Sequence, residues 1–237
     1  MVTRASHKKN LLAGKGAQVE LPQTLHSVPI WIWAMALPMF WIGTTCFLKF
    51  TVVLSILRSA LHLQDVPGFV MVLGVSVWMS VMVMAPAFSE SLEAWQQMEA
   101  EAPKSVLPLA EQVQRLGKPW VGFARAHAGE AETTAVLQVS QKLHGAKALK
   151  AEHPIVLMLA FVLTELKEAF LVGFLLFLPF LAIDLIAGHV LAYAGLSSLP
   201  IPAVTMPIKL LLFVVVEGWT LLFKGVAEGY GGVPWTF

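Results

Sequence analysis

Four ionisable side chains stand in one otherwise apolar run, ELKEAFLVGFLLFLPFLAIDL: Glu165, Lys167 and Glu168 open it and Asp184 lies near its end. Lys209 and Glu217 interrupt a second run, IKLLLFVVVEGW. Such groups can transfer protons, ligate a metal, conduct ions or pair with one another, and spacing decides among these. The sequence has no HExxH, no GxSxG, no GxxxxGK[ST] and no GxGxxG following a strand pattern. Glu165 and Glu168 lack the Glu-x-x-His spacing of a di-iron bundle. The seven His are scattered, with His127, His144 and His153 at irregular intervals, and the single Cys46 offers neither a disulfide framework nor a CxxC site. Ser197 and Ser198 lie near His189 without an accompanying carboxylate or oxyanion motif. The expectation is therefore a non-enzymatic protein with no cofactor and no metal.

What remains is structural chemistry. A carboxylate at bilayer depth costs a few kcal/mol on insertion scales (about 2.5–3.5), so such a group faces protein or water rather than lipid. At about 100° per residue, Lys209, Lys224, Glu217 and Glu228 fall near 0°, 60°, 80° and 100° if the last apolar stretch is one helix, so they share a stripe. Lys224 and Glu228 can snorkel at an interfacial end, whereas Glu217, in mid-stretch, calls for a protein partner or a hydrated lumen. Glu165 and Asp184 would stand about 28 Å apart, near opposite ends of one helix. Ala169 and Gly173 form a small-xxx-small pair suited to close helix approach, and Pro179 frees the carbonyl of Leu175 and bends the helix.

The elements that must carry these charges read as all-α. Of 237 residues, 57% are hydrophobic and 13% charged, a membrane-protein composition. The net charge of +1 and the absence of a basic patch interleaved with aromatics exclude a nucleic-acid partner. Residues 1–28 form a polar leader and 29–88 a first helical hairpin, its first stretch too long for a secretory signal core. Residues 89–153 read as a soluble helical insert, with breaks expected near Pro103, Pro108, the Gly117 to Pro119 turn and Gly129. Residues 154–229 form a second hairpin around a Pro-rich loop, 194–207, and 230–237 a tail.

Two long segments carry a resemblance. LTELKEAFLVGFLLFLPFLAIDLIAGHVL followed by AGLSSLPIPAVTMPIKLLLFVVVEGW, and earlier LPMFWIGTTCFLKFTVVLSILRSALHLQDVP, are similar to the FliP/SctR family, the R subunit of the type III export apparatus of flagella and injectisomes. The resemblance covers about 36–90 and 154–229. It implies a bacterial inner-membrane pore subunit of five copies, assembled with the smaller S and larger T subunits and also the U and V subunits, passing unfolded secreted proteins along its axis. Bent hairpins lifted partly out of the lipid are implied as well. Glu165, Lys167, Glu168, Asp184, Lys209 and Glu217 would then be contacts between subunits, and Leu196, Ser197, Ser198 and Leu199 the pore constriction.

One departure stands out. Where the family commonly has consecutive methionines as a deformable gasket, this chain has Leu196, Ser197 and Ser198. Either Leu196 supplies the apolar ring, another subunit closes the pore, or the pore leaks more readily. Counting Lys and Arg places leader and insert in the cytoplasm; the resemblance implies the periplasmic side for the insert and both termini, and is followed here because that count assumes helices that stay in the membrane. A competing reading, an ion-coupled small-molecule transporter, also accommodates a charged stripe and a Pro-kinked helix, but four stretches without an internal repeat are few for it.

Overall fold

Apolar residues at helical spacing from Phe47 to Ala60 form helix α1, which buries Phe47, Lys49, Phe50, Val53, Leu54, Leu57 and Ala60. A computed structural model of the protein describes residues 43–63, 68–101 and 109–231. The leader and the opening of the first apolar stretch lie outside these. The remaining helices are α2 (Gly68–Val83), α3 (Ala85–Glu101), α4 (Leu109–His127), α5 (Glu130–His144), α6 (Pro154–Tyr193), α7 (Ile201–Val215) and α8 (Gly218–Glu228), with a 3-10 turn at Gly145–Lys147. No strand occurs among the described residues, and the fold is all-α.

Helix ends follow local chemistry. After α1 the Leu63 N–H donates to Arg58 O and the His62 N–H to Ser59 O, a Schellman closure with His62 at φ 58°. The same closure ends α6, Leu196 N–H to Leu191 O and Gly195 N–H to Ala192 O, with glycine at the left-handed position, φ 73°. Pro154 opens α6, where its missing N–H is no loss, and His153 Nδ1 accepts from the Ile155 N–H at 3.3 Å.

α1 and α2 are antiparallel neighbours: Cys46 Sγ lies 3.6 Å from Ser80 Oγ, and Arg58 lies against Gly68. α1 and α6 run parallel, since Lys49 meets Glu165, Ile56 covers Gly173, and the Ala60 carbonyl shares a lysine with Asp184. Their shared core includes Phe50, Leu54, Ala169 and Phe180. The Ala169/Gly173 pair thus finds its close neighbour in α1 of the same chain. In the insert, Phe88 and Trp120 pack edge to face at 4.9 Å, joining α3 to α4, and Phe123 meets Phe161 of α6 at 5.8 Å. α5 docks on α6 through Val136, Val156 and Ala160.

Several boundaries differ from the sequence reading. α3 starts at Ala85, so one helix runs through residues 88 and 89, where the hairpin was separated from the insert. α4 continues through Gly117 and Pro119 instead of breaking there. The carbonyl freed by Pro119 belongs to Arg115, an exposed residue, and the Ser91 hydroxyl donates to the neighbouring Leu116 carbonyl at 3.3 Å. The break at Gly129 is present. The Pro-rich loop is shorter than 194–207, because α7 begins at Ile201, with Pro202 tolerated in the first turn and Pro207 carried inside the helix. The last apolar stretch is two helices, not one: the chain turns at Glu217, φ 52° and ψ 44°, and α7 and α8 are bent by 64°. The single-helix stripe of Lys209, Glu217, Lys224 and Glu228 does not form.

Among the described residues, by length and apolar composition α6 alone, 40 residues and about 60 Å, suffices to cross a membrane; α2 with α3, bent by 68°, and α7 with α8 do so only as bent pairs. Much of the apolar surface of α6 faces outward, including Phe170, Leu171, Phe174, Leu185 and Ile186.

A Cβ at Gly173 would run into the Ile56 side chain. Gly173→Leu is expected to push α1 from α6 and cost about 1–3 kcal/mol, read as a lowered melting temperature of the chain in mild detergent. An unchanged melting temperature would show that this contact does not set the helix spacing.

Candidate functional site

Two nodes of buried charge and one exposed loop hold the residues singled out above. The first node gathers on Lys49 of α1, whose position in the helix aims it at α6. Its Nζ is 3.2 Å from Glu165 Oε1 and 2.6 Å from Glu168 Oε2, and lies 4.1 Å from the centre of the Tyr230 ring. Lys49 and Glu165 are 1% and 2% exposed at the side chain, Glu168 35%. The Tyr230 hydroxyl donates to Glu165 Oε2, so both carboxylate oxygens of Glu165 are occupied. Burial, and then the carboxylate of Glu165, push the Tyr230 hydroxyl far above its ordinary range, which keeps it protonated as a donor. His127 extends the node: Nδ1 is 2.9 Å from Phe123 O and Nε2 is 3.2 Å from Tyr230 O. An open cavity of about 510 Å³ lined by Lys49, His127, Thr164, Glu165, Glu168 and Tyr230 flanks these groups.

The second node centres on Lys209 of α7. Its Nζ donates to Asp184 Oδ2 at 2.6 Å and to the Ala60 carbonyl at 2.8 Å, and lies 3.0 Å from His62 Nδ1. An ammonium has three donors and no acceptor, so Nδ1 is the acceptor there and the neutral ring carries its proton on Nε2. The left-handed backbone at His62 brings that ring to Lys209, at a cost of roughly 1–2 kcal/mol for a residue with a Cβ. Asp184 Oδ1 is buried without a hydrogen-bond partner among the described residues.

Lys167 is exposed and reaches the insert, donating to Glu132 Oε1 at 2.9 Å, while the Thr164 hydroxyl accepts from the Gly129 N–H at 2.8 Å. The Lys167 hydrogen bond holds the Glu132 carboxyl below its usual range. Glu217 is exposed at the α7/α8 turn, its left-handed backbone followed by Gly218 packed under the Phe213 ring.

Glu165, Glu168, Asp184 and Lys209 therefore find partners inside one chain, where the sequence reading looked for them between subunits. Lys49 and Tyr230 were missed as members. Lys49 reads in the sequence only as an interruption of an apolar run, yet a lone buried cation with two unmatched glutamates elsewhere is itself a pairing signal. Among the described residues no group of three or more His, Cys, Asp and Glu is placed to hold a metal ion.

The loop between α6 and α7 presents Leu196, Ser197, Ser198 and Leu199 at its tip. The Leu199 N–H donates to Leu196 O at 3.0 Å, closing a turn with the two serines at its centre. Leu196 is 47% and Leu199 45% exposed, so both leucines present apolar surface outward from the turn.

Lys209→Met would strand the Asp184 carboxylate. The expected loss is about 3–5 kcal/mol, read by denaturant unfolding of the purified chain, with Asp184→Asn added to Lys209→Met restoring part of it. Equal stability of the single variant and the parent would show that the node is hydrated and not a buried pair.

The profile of the FliP family matches residues 31–226. Hypersensitivity response secretion protein HrcR of Ralstonia nicotianae is 37% identical over 198 residues, covering 82% of this chain and 91% of that protein. Yop proteins translocation protein R of Yersinia pestis is 31% identical over 221 residues, 90% of this chain and 100% of that protein. Flagellar biosynthetic protein FliP of Bacillus subtilis is 32% identical over 189 residues, 78% and 82% of the two chains.

Proposed function

The chain belongs to the FliP family, and on that premise we propose that it is a core subunit of a bacterial type III export apparatus, embedded in the inner membrane and conducting unfolded secreted proteins. The observation that carries this is the match across 31–226, with relatives named for secretion, translocation and flagellar biosynthesis. The part it plays is structural: five copies, joined by the S and T subunits and by U and V, enclose an axial path, with lipid against the apolar faces left outside. The leader, the two hairpins and the insert form separate working parts, the insert a cap on the periplasmic side that packs on other subunits.

The ion-coupled transporter is the weaker reading. The relatives' names speak for protein export, and Lys49, Glu165 and Glu168, like Asp184 and Lys209, are matched in ion pairs within the chain.

Within the proposed pore, the turn from Leu196 to Leu199 forms the constriction. Its support is positional: it joins α6 to α7 and projects apolar side chains outward from a single copy. Gathered about an axis, the leucines form an apolar ring that holds a narrow pore shut by dewetting, and the Ser197 and Ser198 hydroxyls weaken that barrier by retaining water. Exposed Lys167 and half-exposed Glu168 remain within reach of a neighbouring subunit.

Deleting the gene should abolish secretion of the system's substrates and a plasmid copy restore it; unaltered secretion in the deletion strain would remove the export reading. In the complex reconstituted in a bilayer, Leu196→Ser should raise the ion leak, and Ser197→Met with Ser198→Met should lower it. Unchanged conductance in both would place closure in another subunit.

A further inference from the structure

Of the Lys, Arg, Asp and Glu side chains in α1, α6, α7 and α8 and at the α7/α8 turn, only those of Glu217, Lys224 and Glu228 make no ion pair or hydrogen bond among the described residues. All three are exposed, and Glu217 and Lys224 are opposite in charge. Glu217 caps α8, its carbonyl accepting the Leu221 N–H at 3.1 Å, so its Cα begins the spiral of α8. Seven residues is about 700°, within about 20° of two full turns, which sets the Cα atoms of Glu217 and Lys224 on one face of that helix, while the left-handed backbone gives the Glu217 side chain a direction of its own. Thr220 and Leu221 lie between them on that face, and Leu221 is 59% exposed. The opposite face, Gly218, Leu222 and Val226, is buried in the chain's own core.

We propose that this face of α8 is a contact between copies of the chain, in which Glu217 of one copy pairs with Lys224 of the next and Leu221 packs between them. The proposal rests on the reading of the chain as one of several copies in an assembly. Two charges about 10 Å apart along a helix axis do not meet each other as residues three or four apart do. A surface that carries both signs at a fixed spacing is, however, complementary to itself. An antiparallel neighbour forms both pairs at once, and a parallel neighbour displaced by two turns forms one pair per contact. An anionic lipid would answer Lys224 and leave Glu217 unmatched in an apolar setting, Val214 and Val215 being 68% and 71% exposed beside it. The backbone of Glu217 argues the same way. A left-handed conformation is held most easily by glycine, and a carboxylate kept at such a position points to a use for the carboxylate.

The test uses full-length chains with Cys46→Ser, so that each carries one cysteine. A chain with Glu217→Cys and one tag is expressed together with a chain with Lys224→Cys and a second tag, and membranes are treated with a short bismaleimide. The expected product is a crosslinked dimer bearing both tags, with much less from cells expressing the Glu217→Cys chain alone. Glu217→Lys and Lys224→Glu should each lower the yield of multi-copy complexes, and the two together should recover it, a recovery that a folding defect would not give. Export without any mixed dimer, or complexes unaffected by either charge reversal, overturns the contact and leaves the export reading standing. A mixed dimer in cells whose export substrates pass equally well without the chain supports the contact and removes the export reading instead.

Discussion

An ammonium group shut away from water has to be neutralised where it lies, and Lys49 imposes that condition on the whole chain. Its carboxylates come from α6, more than a hundred residues later, and its aromatic lid from Tyr230, beyond the last helix. A pair of this kind is weak as net stabilisation, because desolvation offsets much of the attraction, but it is intolerant of misplacement, since a slipped register strands a charge. It therefore selects one alignment of α1 on α6 out of many that the apolar side chains alone would accept. Lys209 applies the same selection about 28 Å further along α6, using Asp184 and the end of α1. Two such points define a direction, and the direction is parallel. A parallel pair needs a connection that brings the chain back to its starting end, and α2 to α5 make that return.

Much of this was legible beforehand. The second hairpin's first helix, starting at Pro154 and giving way to the Pro-rich loop at 194, is legible because a proline can open a helix and a run of prolines cannot continue one. Glu165 and Asp184 were recognised as groups that lipid cannot surround. The partner of each was not legible: apolar periodicity says that a helix has a hidden face, not which helix hides it, and the chain answers with its own α1. The turn at Glu217 was invisible for another reason. LFVVVEGWTLLF has the composition of a continuous helix, and only tertiary packing, Gly218 beneath Phe213 and Trp219 across from it at 5.3 Å, holds glutamate in a conformation glycine would favour. Pro119 misled in the opposite sense, because a proline removes one backbone hydrogen bond and α4 continues past it, the bond it removes falling at the exposed residue Arg115.

The insert and the apolar helices α1, α6 and α7 differ in how they satisfy polar groups. Around α4 and α5 charges stand in solvent or form exposed pairs such as Arg115 with Glu111, which contribute little. Along α1, α6 and α7 nearly every charge is matched at short range. The difference tracks the surroundings each part is built for, and Lys167 with Glu132 and Thr164 with Gly129 stitch the two regimes together at their border.

The length of α6 has a consequence for how the protein is made. A hydrocarbon core is about 30 Å thick, so a helix of about 60 Å whose apolar side chains face outward over most of its length cannot be solvated by lipid throughout. A newly synthesised copy, before any neighbour arrives, must tilt steeply, thin the bilayer around it or hold oily surface in water, each at a free-energy cost. In the proposed assembly, neighbouring subunits would remove that cost by covering the excess, and by mass action the stability of a copy would then rise with the number of copies present.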